Sequence, residues 1–171
     1  MIKRNSSPVP HDVRLAAFDV DGVFTDGRFY LSDAGVETKA FSTQDGFGIK
    51  KLLAADVQVA VISSRRSGAV DTRMRELGVR HVIQGAADKA AAFDLLIESL
   101  QLTAGQCVYV GDDVPDLPVL TRVGFAIAVA NAVDEVKKCC DYTTRSAGGF
   151  GAVREVCDLL LAARTNNRAY G

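Results

Sequence analysis

Leu15-Ala16-Ala17-Phe18-Asp19-Val20-Asp21-Gly22 decides how the chain is read. A short apolar run reads as a buried strand, and ligands bind at the carboxyl ends of strands in open α/β sheets. Two carboxylates two residues apart at such an end have no place in a core. They face a cation, or one of them does chemistry.

Working outward, similar runs recur at 14–20, 58–63, 81–84, 107–111 and 124–129. Helical spacing lies between and after them. Phe93, Leu96, Ile97 and Leu100 share one face, as do Val153, Val156, Cys157, Leu160 and Leu161, and segments 46–55, 67–77 and 133–139 read as further helices. Strands alternating with helices, and apolar throughout, predict an α/β fold: a Rossmann-like parallel sheet with helices on both faces. One segment breaks the rhythm. Arg28 to Phe41, turning at Ser32-Asp33-Ala34-Gly35, reads as a β-hairpin directly after the first strand, with no room for a separate cap domain. The expected organisation is a polar N-terminal tail over 1–12, one domain over 13–164 with its hairpin at 28–41, and a C-terminal tail over 165–171.

The chain has 171 residues, 48% of them hydrophobic, enough for one domain with a real core. Its 20 Lys+Arg against 21 Asp+Glu advertise no basic face for nucleic acid. The N-terminus lacks the apolar stretch of a secretory signal, and no run approaches the ~20 apolar residues of a membrane helix. A cytoplasmic protein is the expectation. Cys107, Cys139, Cys140 and Cys157 form no C-x-x-C pair and read as reduced thiols. His11 and His81 have no ligand-like neighbours, which disfavours histidine-based zinc or triad chemistry.

The other strand ends also carry chemistry. One is Val61-Ile62-Ser63-Ser64-Arg65, another Val110-Gly111-Asp112-Asp113 with Asp116 beyond, and Lys89 opens the helix after Gly85-Ala86-Ala87-Asp88. A doubly wound sheet brings these points to one crevice. Like charges ~4 Å apart repel by on the order of 4 kcal/mol at an effective dielectric of ~20. A divalent cation removes the difficulty, and oxygen donors of this kind suit Mg²⁺. The calcium-loop alternative fails, because counting from Asp19 puts Phe24 and Tyr30 where an EF-hand needs Gly and Glu. Ser63 and Lys89 add phosphate partners. Hard metal, hydroxyl, lysine and a spare carboxylate together describe phosphoryl transfer.

Asp19-Val20-Asp21-Gly22-Val23, Ser63, Lys89 and Gly111-Asp112-Asp113-x-x-Asp116 resemble the four motifs of the haloacid dehalogenase superfamily of phosphatases. The hairpin, Gln84-Gly85 and Gly148-Gly149-Phe150-Gly151-Ala152-Val153-Arg154-Glu155 narrow the resemblance to members that hydrolyse phosphate esters of eight-carbon sugar acids. It implies Asp19 as nucleophile and Asp21 as acid and then base. Mg²⁺ would bind Asp19, the Asp21 backbone carbonyl and Asp112. Ser63 and Lys89 would hold the phosphoryl oxygens, with Asp113 and Asp116 supporting. Substrate contacts would come from Asp21, Ser42, Thr43, Gln44, Asp45, Gly46, Lys50, Arg65, Arg73 and Lys89. Such members are tetramers whose hairpin helps close a neighbour's site, and they serve lipopolysaccharide-precursor synthesis.

The chain departs from that pattern outside the reacting centre. Ser64 replaces a glycine of the second motif, and Gln44, Lys50 and Phe150 stand where arginines are usual. Arginine binds a carboxylate bidentately and lysine only as a point charge, so these changes bear on the choice of sugar acid. A nine-carbon ulosonate 9-phosphate is the alternative substrate. A catalytically silent oligomerisation module is the alternative class, opposed by the retention of both Asp19 and Asp21. A phospho-accepting receiver domain would share the acidic pocket and lysine but gives no reason for Asp21 or the hairpin.

Overall fold

A computed structural model describes residues 9–168. Its first strand, β1 (Leu15–Phe18), is wholly buried and is flanked on both sides by parallel neighbours. The hairpin strands β2 (Tyr30–Leu31) and β3 (Glu37–Thr38) follow, then α1 (Thr43–Ala54), β4 (Gln58–Ser63), α2 (Gly68–Leu77) and β5 (His81–Gln84). The second half comprises α3 (Lys89–Ser99), β6 (Cys107–Gly111), α4 (Leu117–Leu120), β7 (Phe125–Ala128), α5 (Asp134–Cys139), β8 (Tyr142–Thr143) and α6 (Ala152–Arg168).

The main sheet is parallel throughout, in the order β5-β4-β1-β6-β7-β8. The chain winds outward from β1 in one direction and then, through β6, in the other. The crevice between β1 and β6 is therefore the topological switch point, where such sheets bind ligands. Continuous burial along β1, β6 and β7 is what a sheet covered on both faces requires. The expected strands appear within a residue or two of their bounds. Strand β8 was not foreseen: at two residues on the sheet edge it leaves almost no pattern to read.

The hairpin forms, but its ladder is shorter than 28–41, pairing only Tyr30 with Thr38 and Leu31 with Glu37. It is all that the β1–α1 connection carries in the way of sheet. At the other end, α6 runs to Arg168 and so takes up the first residues of the segment read as a tail. Most of the 1–12 tail and residues 169–171 lie outside the described residues.

Candidate active site

The loop leaving β1 is built to hold two carboxylates at the crevice. Val23, Phe24 and Thr25 all donate their amides to the Val20 carbonyl, closing a single tight turn, and Phe24 packs edge-on against Phe18 at 5.4 Å. Gly22, with φ +85°, sits against Asp112: a Cβ there would fall 2.0 Å from Asp112 Oδ2. A second contact fixes the loop from outside. Asn131 Nδ2 donates to the Gly22 carbonyl at 3.1 Å, and the Gly148 amide donates to Asn131 Oδ1 at 2.6 Å. A Cβ on Gly148 would come within 1.8 Å of the Gly22 oxygen. The glycine-rich segment thus packs on the loop of its own chain.

Asp19, Asp21, Ser63, Arg65, Lys89, Asp112, Asp113 and Asp116 line one cavity of about 270 Å³, with Gly27, Ser64 and Pro115. Points scattered over a hundred residues of sequence meet here because three strands end together. Asp19, Ser63 and Lys89 are buried, and Asp116 is completely so.

Asp116 is the hub. Its Oδ1 accepts from Lys89 Nζ at 2.7 Å and from the Tyr109 hydroxyl at 2.8 Å, while Oδ2 accepts from the amides of Asp112 and Asp113 at 3.1 and 3.3 Å. Gly111 makes room for it, since a Cβ there would meet the Asp116 side chain at 2.6 Å. Lys89 also reaches Asp19 Oδ1 at 2.9 Å, where the Val20 amide donates at 2.7 Å. Asp113 caps the turn over Val114–Asp116 through the Val114 amide at 2.7 Å.

Burial, then the charge of Asp116, pushes the Asp19 carboxyl up to about 7, against the opposing pull of Lys89. Burial, then Asp19 and Asp116, pushes Asp112 up to about 8. Burial disfavours the Lys89 charge, but the two aspartates outweigh it and raise its pKa. A cation bound beside these carboxylates would oppose both shifts.

Carboxylate oxygens of Asp19, Asp112 and Asp116 lie within 4.8 Å of one another, a donor set suited to a hard divalent cation. Asp116 is the poorest ligand of the three, because both its oxygens already accept from protein donors. Asp112 Oδ1, by contrast, is buried with no hydrogen-bond partner, as a ligand oxygen would be in the metal-free protein. The residues present therefore fit Mg²⁺, through Asp19 and Asp112.

Above the cavity the hairpin contributes residues that sequence reading missed. Lys39, its side chain wholly buried, donates to Asp21 Oδ1 and lies 3.4 Å from Glu37 Oε1. Arg65 Nη2 donates to Glu37 Oε2 at 2.7 Å, and Arg65 Nε lies 3.9 Å from Asp21 Oδ2. The Arg65 guanidinium stacks on Phe29 at 4.1 Å. Glu37 and Lys39 are two residues apart, a spacing that puts side chains on one face of extended chain and the one signal that could have linked them. Asn131 carried no signal at all.

Seven expected substrate contacts, Ser42, Thr43, Gln44, Asp45, Gly46, Lys50 and Arg73, do not line this cavity. Asp45 is engaged elsewhere in its own chain: its buried carboxylate accepts from the Arg154 amide at 2.8 Å, capping the first turn of α6. Gly46 packs against Arg73, which donates weakly to the Ser42 carbonyl at 3.4 Å. Ser42 caps α1, while Thr43, Gln44 and Lys50 are exposed.

A family model for haloacid dehalogenase-like hydrolases matches residues 79–156. Over 153 residues the chain is 46% identical to 3-deoxy-D-manno-octulosonate 8-phosphate phosphatase KdsC of Escherichia coli, covering 90% of this chain and 81% of that protein. The phosphatase of the same name from Moraxella catarrhalis, solved with magnesium ion, phosphate ion and KDO, superposes with a TM-score of 0.89 at 42% identity, covering 94% of this chain and 92% of that one. The cobalt-bound deoxy-D-mannose-octulosonate 8-phosphate phosphatase of Haemophilus influenzae superposes at 0.88 with 38% identity, covering 94% of each chain. With that similarity running through nearly its whole length, the chain belongs to the haloacid dehalogenase-like hydrolases and, among them, to the 3-deoxy-D-manno-octulosonate 8-phosphate phosphatase family.

Proposed function

We propose that the chain is a Mg²⁺-dependent phosphatase that hydrolyses 3-deoxy-D-manno-octulosonate 8-phosphate through an aspartyl-phosphate intermediate. The observation that carries the reading is the convergence of Asp19, Asp21, Ser63, Lys89 and Asp112 on one cavity at the switch point of the sheet. Asp19 is the nucleophile; the Val20 amide and Lys89 both act on Oδ1, leaving Oδ2 to attack phosphorus. Lys89, fixed by Asp116, and Ser63 hold the phosphoryl oxygens. Asp21 protonates the departing sugar oxygen and then takes a proton from the water that hydrolyses the intermediate. Mg²⁺, held by Asp19, Asp112 and the Asp21 main-chain carbonyl, supplies the positive charge that offsets the phosphate and the crowded carboxylates. Asp113 and Asp116 support the ligands rather than joining them.

In this reading Arg65, exposed at the rim, receives the substrate carboxylate. The Ser42–Gly46 turn, Lys50 and Arg73 belong in the same reading to a neighbouring subunit's site. The hairpin favours that arrangement: Leu31 and Val36 are each 62% exposed and Tyr30 57%, a patch better covered by a second copy than by water. A homotetramer is thus part of the proposal, as is a cytoplasmic location among charged sugar phosphates. Among the described residues no helix is long and apolar enough to cross a membrane.

The test is phosphate release from the eight-carbon 8-phosphate and a nine-carbon ulosonate 9-phosphate, with Mg²⁺ and with chelator, using Asp19→Asn as control. The reading expects Mg²⁺-dependent turnover that favours the eight-carbon ester. A clear preference for the nine-carbon ester would replace the substrate, and no turnover of any sugar phosphate would favour the silent module.

A further inference from the structure

The catalytic machinery proposed above accounts for Asp21 but not for what holds it. Four charges alternate around a closed ring above the cavity: Asp21, Lys39, Glu37 and Arg65. Each oxygen of Asp21 faces a different cation, Oδ1 the Lys39 ammonium and Oδ2 the Arg65 side chain. The two cations differ in kind. The Lys39 side chain is 0% exposed, whereas that of Arg65 is 47% exposed. The Phe29 ring lies beneath both, 5.6 Å from Lys39 Nζ and 4.1 Å from the Arg65 guanidinium carbon. Hairpin register explains the placement. The ladder ends at the Tyr30–Thr38 pair, so Phe29 and Lys39 leave it side by side and meet, and the 3.4 Å contact between Lys39 Nζ and Glu37 Oε1 puts those two side chains on one side.

Resting on the phosphatase reading, we propose that Lys39 is the positioning residue for Asp21, and that the hairpin is folded over the site in order to deliver it. A buried lysine with no water to compete for it holds Oδ1 in one place. Oδ2, facing only the longer Arg65 contact, is then the oxygen that transfers the proton. In the first half-reaction Asp19 Oδ2 bonds to phosphorus as the ester P–O bond breaks, and Asp21 Oδ2 gives its proton to the departing sugar oxygen. In the second, water oxygen bonds to phosphorus, the Asp19–phosphorus bond breaks, and Asp21 Oδ2 takes back one proton. Lys39 takes no part in the proton transfers. Its contribution is orientation, and a carboxyl misplaced by an ångström loses most of its value as an acid.

The discriminating experiment compares two esters in one variant. A primary sugar phosphate has a poor leaving group and needs the acid; p-nitrophenyl phosphate has a good one and hardly does. In Lys39→Met, kcat/KM for 3-deoxy-D-manno-octulosonate 8-phosphate should fall by ~100-fold, the low end of what general acids supply, while that for p-nitrophenyl phosphate changes by less than ~3-fold. Because kcat/KM reports the steps through aspartyl-phosphate formation, the second half-reaction does not blur the comparison. The ratio between esters is also independent of how much of the variant folds. Lys39→Arg, which keeps a cation at the site, should recover at least ~10-fold of the lost sugar-phosphate activity. Equal losses on both esters, or none on either, would overturn the assignment of Lys39 while leaving the phosphatase reading intact. A wild-type protein inactive on both esters would overturn the reading itself and the inference with it.

Discussion

Asp116→Asn is the substitution that most fully engages the geometry of the site. The change is isosteric, so packing is preserved and only charge and hydrogen bonding are altered. Asp116 is completely buried and accepts from Lys89, Tyr109 and the amides of Asp112 and Asp113. An asparagine has one acceptor oxygen and one donor nitrogen. Whichever way it turns, its amide hydrogens face donors on one side, either the lysine and tyrosine or the two backbone amides. Orphaning a buried donor costs about 1–3 kcal/mol, and removing one partner of a buried ion pair about 3–5 kcal/mol. Lys89 retains Asp19 at 2.9 Å, which limits the second penalty. A loss of about 4 kcal/mol follows, equivalent to a fall in Tm of about 10 °C for a domain of this size. Urea unfolding in chelator should show a lower midpoint at unchanged slope. Tyr109→Phe removes one of the four bonds and leaves the ion pair, so it should lose only about 1 kcal/mol. Activity of Asp116→Asn should fall on the order of 100-fold, as Lys89 loses the partner that aims it. An Asp116→Asn protein melting within about 2 °C of wild type, where the reasoning requires about 10 °C, would refute this account of the network.

Three further outcomes are expected. Gly148→Ala places a methyl 1.8 Å from the Gly22 oxygen, forcing the loop away from Asp112; stability should drop by about 2–3 kcal/mol and Mg²⁺ titration of activity should shift to higher concentration. In the metal-free protein, Asp19 and Asp112 are raised to about 7 and about 8, above the unfolded value of 3.8, so the folded state holds protons that the unfolded chain has already released. Its urea midpoint should therefore decline as pH rises from about 5 and level off above about 8, with saturating Mg²⁺ flattening the slope; a flat metal-free profile would contradict the site's electrostatics. Leu31→Glu puts a charge in the exposed hairpin patch and should shift sedimentation from oligomer toward monomer, whereas an unchanged sedimentation profile would remove the hairpin from the interface.

The strands and the acidic ends were legible because burial on both sheet faces leaves uninterrupted apolar runs, and because a carboxylate terminating such a run has no structural excuse. Asp19 and Asp112 directly after β1 and β6, Ser63 at the end of β4 and Lys89 at the start of α3 come together as those positions require. The hub role of Asp116 was less visible, since four hydrogen bonds converging on one side chain leave no spacing pattern. Lys39 was hidden in a hairpin read for its apolar residues; only its buried contact with Asp21 shows that it turns inward. The structural role of Asp45 was hidden for a related reason. An aspartate near a helix start reads equally as ligand or cap, and the packing of α1 against α6, which no local pattern encodes, makes it the cap of a helix more than a hundred residues away.

The central claim is that Asp19 becomes phosphorylated. It is tested most directly by mixing enzyme, Mg²⁺ and 3-deoxy-D-manno-octulosonate 8-phosphate, quenching within one turnover, reducing with borohydride, and sequencing the peptides by mass spectrometry. The account predicts that the residue at position 19 is recovered as homoserine, the reduction product of an aspartyl phosphate, and that Asp19→Asn gives none. Full turnover with position 19 unreduced, or reduction at another aspartate, would contradict it.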